Sequence, residues 1–193
     1  MLAGWTAVRF NFRGVGRSEG TYDEGRGELA DLLSVIEAQA PSGPLCLAGF
    51  SFGAFVTSHA ASQLQEQREI RRLVLVGTAA SRFEVAPVPA ELHPRTLVIH
   101  GEQDDTVPLA SVMAWARPQV LPVLVVPGGG HFFMGSCPCF GNWSCAICAP
   151  EAAALSPFLF QEPDFVASIV FPCFVSVGRC GGVFGVCSGA SAA

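Results

Sequence analysis

The 193-residue chain contains no lysine, and only 14% of its residues are charged. Its positive charge rests on arginines scattered along the sequence, outnumbered by acidic residues to a formal net charge of −5. A nucleic-acid partner needs a basic stripe that neutralises phosphates, and no such stripe is present. The opening Met1-Leu2-Ala3-Gly4-Trp5-Thr6 holds neither a charged leader nor a long apolar core, so no secretory signal is read and the cytoplasm is the expected compartment. The sequon Asn142-Trp143-Ser144 then carries no glycosylation meaning. The apolar run from Phe165 to Gly178 is interrupted by Pro172, is followed by Arg179, and falls short of the roughly 20 residues a spanning helix requires. Membrane insertion is therefore not expected.

Half of the residues are apolar, enough for one domain with a sizeable core. The chain is organised around the stretch Leu45 to Phe55. An apolar run of strand length enters Gly49-Phe50-Ser51-Phe52-Gly53 and continues into Ala54 to Ala61, which reads as a helix. A strand, a sharp turn carrying serine, and a helix form the context of a nucleophile elbow. Small flanking residues let the backbones approach and adopt unusual dihedrals, and the helix start aims N–H groups at a developing oxyanion. Ser51 is the expected nucleophile. Gly16-Arg17-Ser18-Glu19-Gly20 matches the same Gly-x-Ser-x-Gly pattern, but it is followed by the polar segment Thr21 to Gly25 and reads as a solvated turn.

Thr6 to Phe12 is rich in strand formers and is broken by Arg13-Gly14-Val15-Gly16. From Glu24 to Gln39, Leu29, Leu32, Leu33 and Ile36 recur at helical spacing with Glu28, Asp31 and Glu37 between them, predicting an amphipathic helix that packs on a sheet. Pro41-Ser42-Gly43-Pro44 ends it. After an elbow helix to about Gln67 come Leu73–Val76, a linker, Thr96–His100, a helix near Leu109 to Ala116, and Val120–Val126. Short β-branched runs alternating with helices predict an α/β fold: a mostly parallel sheet flanked by helices.

Ligands of such sheets bind outside the carboxyl ends of the strands. Three polar segments stand there: Ser51, then Gly101 to Pro108 after the strand ending at His100, then Gly128-Gly129-Gly130-His131 after the strand ending at Val126. A neutral imidazole at His131 can take the Ser51 proton and return it to a leaving group, while a carboxylate holds the ring's tautomer. Asp104 and Asp105 share one turn, and local chemistry leaves both open. His59 reads as a helix residue, His93 as a surface-loop residue and His100 as a strand-end hydrogen bonder.

Asn11-Phe12-Arg13-Gly14-Val15-Gly16-Arg17-Ser18, Gly49-Phe50-Ser51-Phe52-Gly53, His100-Gly101-Glu102-Gln103-Asp104 and Gly129-Gly130-His131-Phe132-Phe133 together resemble the successive motifs of small bacterial α/β-hydrolases. They are similar to a dienelactone-hydrolase-like branch with little or no cap, over about residues 2–135. The resemblance implies a serine hydrolase acting on a small ester, thioester or lactone, with Ser51 as nucleophile, His131 as base, and Asp104, three residues past the strand-end glycine, as the acid. Asp105 is left to cap the helix that begins near Pro108. No cofactor and no metal are implied, and the partner is a small-molecule substrate. The resemblance also implies earlier strands before the position of Met1. One of them would lie between the first strand and the elbow strand, and the loop after it would supply a second oxyanion donor beside the backbone N–H of Phe52. On this basis the α/β-hydrolase fold is expected to be incomplete.

That expectation leaves one side of the elbow strand open. Thr6 to Phe12 could close against it, part of the tail could fill the gap, or the edge could face solvent. The first is favoured, because one helical crossover can join neighbouring parallel strands.

At Ser136 the composition changes abruptly, dividing a hydrolase core over 1–135 from a Cys-, Phe- and Gly-rich tail over 136–193 that is expected to be poorly ordered. Seven of the eight cysteines lie in the tail. Cys137, Cys139, Cys145 and Cys148 could offer four thiolates to a structural zinc, but no surrounding motif defines a zinc fold. The alternative to an enzyme is an inactive hydrolase-fold remnant that works as an interaction module through this tail.

Overall fold

The computed structural model describes residues 5–133 and 167–173. In chain order the elements are β1 (Trp5–Asn11), α1 (Arg26–Gln39), β2 (Leu45–Phe50), α2 (Phe52–Leu64), β3 (Ile70–Val76), β4 (Thr96–Gly101), α3 (Leu109–Ala116), β5 (Val123–Val126) and β6 (Ala167–Cys173). Short 3₁₀ turns occupy Ala90–Arg95 and Arg117–Gln119. The strands form one sheet in the order β1-β6-β2-β3-β4-β5, and every pairing is parallel. The cysteines of the suggested zinc site and the boundary at Ser136 lie outside the described residues.

β2 is central, and its sequence says why: Leu45, Cys46, Leu47 and Ala48 have no polar face to turn outward, and all are buried. Sealing Leu45 and Leu47 fully from water contributes roughly 1.5–3 kcal/mol for each side chain. The helix that follows is apolar nearly all round, as a helix enclosed on several sides must be. Its Phe52, Ala54, Val56, Ala60 and Ala61 are buried where it packs on β2, β3, β6 and α1. The small residues let α2 lie close under the sheet, and this holds the first turn of the helix beside the end of β2.

The favoured closure of β1 on β2 is corrected by the sheet order. β6 lies between them, so the second of the three outcomes holds. β6 pairs with β1 over its whole length, from Trp5 opposite Ala167 to Asn11 opposite Cys173. It pairs with β2 from Leu45 opposite Ser168 to Leu47 opposite Val170. The β2 pairing stops two residues before Pro172, which has no N–H to donate. A strand sealed on both faces loses about 1–3 kcal/mol for each backbone group left unpaired, and β6 supplies partners to two strands at once.

Two local expectations shift. Val120 to Pro122 is not strand: Val120 takes φ +54° to close the Arg117–Gln119 turn, and the Leu121 N–H donates to the Ala116 carbonyl at 3.2 Å, so β5 starts at Val123. Glu28, assigned to the polar face of α1, is 1% exposed. Its carboxylate accepts the N–H groups of Asp23 (2.9 Å) and Gly25 (2.8 Å), stitching the helix entry. Asp31 on the same helix receives a two-pronged bond from Arg13, at 2.8 and 3.0 Å, plus the Arg13 backbone N–H, and this ties the loop after β1 to α1. Among the described residues no helix is long and apolar enough to cross a membrane.

Candidate active site

β2, β4 and β5 end at the same edge of the sheet, and each delivers one polar side chain from the loop that follows it. Ser51 stands between β2 and α2 with φ +54° and ψ −117°. For a residue with a Cβ this is a sparsely populated conformation, costing on the order of 1–3 kcal/mol. The surroundings hold it there. The Ser51 N–H donates to the Val76 carbonyl at 2.8 Å, pinning the turn to the end of β3, while the Ser51 carbonyl accepts the N–H of Ala54 at 3.0 Å. Gly49 is required for the same reason: a Cβ there would strike the Gly53 carbonyl oxygen and stand 2.6 Å from the Ala54 nitrogen. The turn closes only because that atom is missing.

Asp104 follows β4. Its Oδ1 accepts the backbone N–H groups of Thr106 (3.0 Å) and Val107 (2.7 Å), which leaves Oδ2 to accept Nδ1–H of His131 at 2.7 Å. Burial, the largest single influence, pushes the Asp104 carboxyl up. The bonds from His131 and Val107, with the fields of His131 and His100, outweigh it and hold the group below the usual carboxylate range. His131, 4% exposed, sits in the loop after β5. With its Nδ1 proton given to Asp104, Nε2 carries the lone pair, and it faces Ser51 Oγ at 3.0 Å. The two loops meet over Gly101, where a Cβ would strike the Gly129 carbonyl oxygen and come within 2.8 Å of the Gly130 oxygen. Phe133 anchors the histidine loop by burying its ring with Val76 and Ile99.

Ser51, Asp104 and His131 are thus brought into one continuous line of hydrogen bonds. Phe52, expected to donate to the oxyanion, is the first residue of α2. Asp105 is exposed and takes only the Thr106 hydroxyl at 3.3 Å; it does not cap α3, whose start has no side-chain cap. Ser18 lies apart from the line, its hydroxyl donating to the Asn11 carbonyl at 2.9 Å. His59 and His93 donate to the carbonyls of Glu84 and Val88, both at 2.9 Å.

His100 is more than a strand-end hydrogen bonder. It is fully buried, donates from Nε2 to the Val107 carbonyl at 2.8 Å, and stands 3.5 Å from Asp104 Oδ2. It therefore braces the turn that aims the carboxylate. The sequence signal was its position directly before Gly101, four residues ahead of Asp104, but spacing alone does not say that the ring turns inward. Cys46 offers no rival nucleophile: burial, only partly opposed by Arg72 and Arg71, pushes its thiol up to about 12. Among the described residues no cluster of His, Cys, Asp and Glu could hold a metal ion.

The thioesterase-domain family pattern matches residues 24–100. An α/β serine hydrolase without lid from Xanthomonas campestris, XC6422, is similar in structure with a TM-score of 0.63 and 27% identity, over 83% of this chain and 85% of that one. ATU1826 of Agrobacterium tumefaciens, a protein of unknown function, is similar with a TM-score of 0.55 and 26% identity, over 79% of this chain and 71% of its own. In sequence the chain is 27% identical over 148 residues to an uncharacterized protein of Rickettsia prowazekii, RP471, and the match spans 67% of this chain and 59% of the relative.

Proposed function

Because the chain is a small α/β-hydrolase of the dienelactone-hydrolase-like type, we propose that it is a serine hydrolase that opens a small ester, thioester or lactone through an acyl-enzyme on Ser51. The observation that carries this reading is the relay itself, with 3.0 Å from Ser51 Oγ to His131 Nε2 and 2.7 Å from His131 Nδ1 to Asp104 Oδ2. Both spans lie within the reach that proton transfer needs.

In the proposed cycle Ser51 Oγ attacks the substrate carbonyl while its proton passes to His131 Nε2. The imidazolium so formed is stabilised by Asp104, whose carboxyl is held below the usual carboxylate range and so stays ionised. The backbone N–H of Phe52 is assigned to the oxyanion, a contribution on the order of 10²–10³ in turnover for such a donor. Collapse expels the alcohol or thiol, which takes the Nε2 proton. Water, deprotonated by the same imidazole, then releases the acid and regenerates Ser51. The thioesterase-domain match over 24–100 favours keeping thioesters among the substrates.

A fluorophosphonate probe tests the reading directly, since it captures an activated serine and ignores a solvated one. Wild-type protein is expected to be labelled once, Ser51→Ala not at all, and Ser18→Ala as wild type. Equal labelling of wild type and Ser51→Ala would overturn the assignment.

A further inference from the structure

Consecutive phenylalanines in the histidine loop have opposite fates. Phe133 is 1% exposed and holds the loop to the core, whereas Phe132 is 55% exposed. Yet Phe132 is not a loose surface ring. Its centroid lies 5.0 Å from that of His131, edge to face, and 5.8 Å from that of Phe50. Phe50 in turn lies 5.0 Å from His131. The imidazole is therefore flanked by two aromatic rings that touch one another, and the outer one presents uncovered apolar surface. Apolar surface beside a reactive group marks a place where a ligand is received.

Resting on the reading of Ser51 as nucleophile, the chemistry says which part of a substrate arrives there. When the tetrahedral intermediate collapses, the bond from the acyl carbon to the leaving oxygen or sulfur breaks, and that atom takes the proton from His131 Nε2. It must then stand within hydrogen-bond reach of Nε2. The acyl portion stays bonded to Ser51, and the rest of the leaving group runs past the imidazole, where Phe132 and Phe50 lie. We propose that Phe132, backed by Phe50, is the platform for the leaving group, and that the preferred substrates are esters or thioesters of a flat, apolar alcohol or thiol, an aromatic one above all. Offset or edge-to-face contact with the exposed ring is the favourable geometry for such a group. Tyr22, an exposed aromatic ring near the elbow, has its ring contact with Phe52 at 5.7 Å and serves as a control.

The experiment compares phenyl and methyl butyrate, which share the butyryl-enzyme and differ only in what leaves. The ratio of their kcat/KM values reports the acylation step, and the intrinsic reactivity difference cancels between wild type and variant. Phe132→Ala is expected to lower the phenyl-to-methyl ratio about three- to tenfold, the scale of one aromatic contact. Phe132→Tyr should restore the ratio, and Tyr22→Ala should leave it as in wild type. A folded Phe132→Ala protein with an unchanged ratio overturns the proposal, as does an equal drop in Tyr22→Ala. If Ser51→Ala hydrolyses both esters as fast as wild type, the assignment of Ser51 fails and this inference falls with it. If turnover depends on Ser51 but the ratio ignores Phe132, only the leaving-group platform fails.

Discussion

Asp104→Asn probes the relay where its hydrogen bonding leaves least freedom. The carboxylate accepts three N–H groups, two at Oδ1 from Thr106 and Val107 and one at Oδ2 from His131. An amide has one acceptor oxygen and one donor nitrogen, so it cannot satisfy all three. With its oxygen toward the loop it keeps two bonds, and its NH₂ faces His131 Nδ1, which must then give up its proton. The flipped amide sets its NH₂ against two backbone donors at 3.0 and 2.7 Å, and each bond left unmade costs about 1–3 kcal/mol. The first orientation wins. It forces the imidazole proton onto Nε2, where it points at Ser51 Oγ and cannot accept from it. The expected loss in turnover is on the order of 10⁴, the size of a wrong-tautomer effect in a serine triad. Because the two loop bonds survive, stability should fall by only about 1–2 kcal/mol. The assay is the rate of fluorophosphonate labelling together with turnover of an aryl ester, with a thermal melt to confirm folding. Asp105→Asn, at an exposed position in the same turn, should stay within about twofold of wild type, as surface changes do. A folded Asp104→Asn protein within about tenfold of wild type would refute the reasoning.

Two further outcomes concern the frame around the site. The Asp31 carboxyl is held below its usual range first by the bond from the Arg13 side chain, with burial opposing; its stabilisation is present above the unfolded value of about 3.9 and is lost as pH falls through the lower folded value. Asp31→Asn should therefore lower Tm at pH 7, and the gap to wild type should close below about pH 4, so a gap constant with pH would contradict the pairing. Val170 in β6 stands in register with Val8 on one side and Leu47 on the other; Val170→Pro removes a strand N–H and should cost at least about 1–3 kcal/mol in urea unfolding. An unchanged urea midpoint would show that β6 does not pair there.

The strain at the elbow is held in place by its surroundings. A serine at φ +54° is unfavourable in isolation, yet the pin to Val76 and the missing Cβ at Gly49 hold it against relaxation. Rigid support of this kind sets the 3.0 Å approach to His131 before any substrate binds.

What the sequence determined by itself was everything encoded over a few neighbouring residues. The apolar run Leu45–Phe50 entering Gly49-Phe50-Ser51-Phe52-Gly53 announces a buried strand, a tight turn and a buried helix, because strand burial and backbone approach are dictated within that window. Helix α3 was legible as a helix near Leu109 to Ala116, where it lies. The positions of Asp104 and His131 after strand-forming runs were equally readable, since in a parallel sheet every carboxyl end faces the same edge. The neighbours β2, β3, β4 and β5 follow one another in the sheet as in the chain; tertiary structure alone decided what fills the other side of β2. β6 enters between β1 and β2 from more than 100 residues downstream of Phe50, and periodicity carries no information about a partner that distant. It decided too that Glu28 turns inward to hold the entry of α1, and that His100 lies buried against the Asp104 turn. It also set Phe132 against the imidazole while burying Phe133. A side chain's type limits what it can do, but which groups it meets is settled only when separate elements pack.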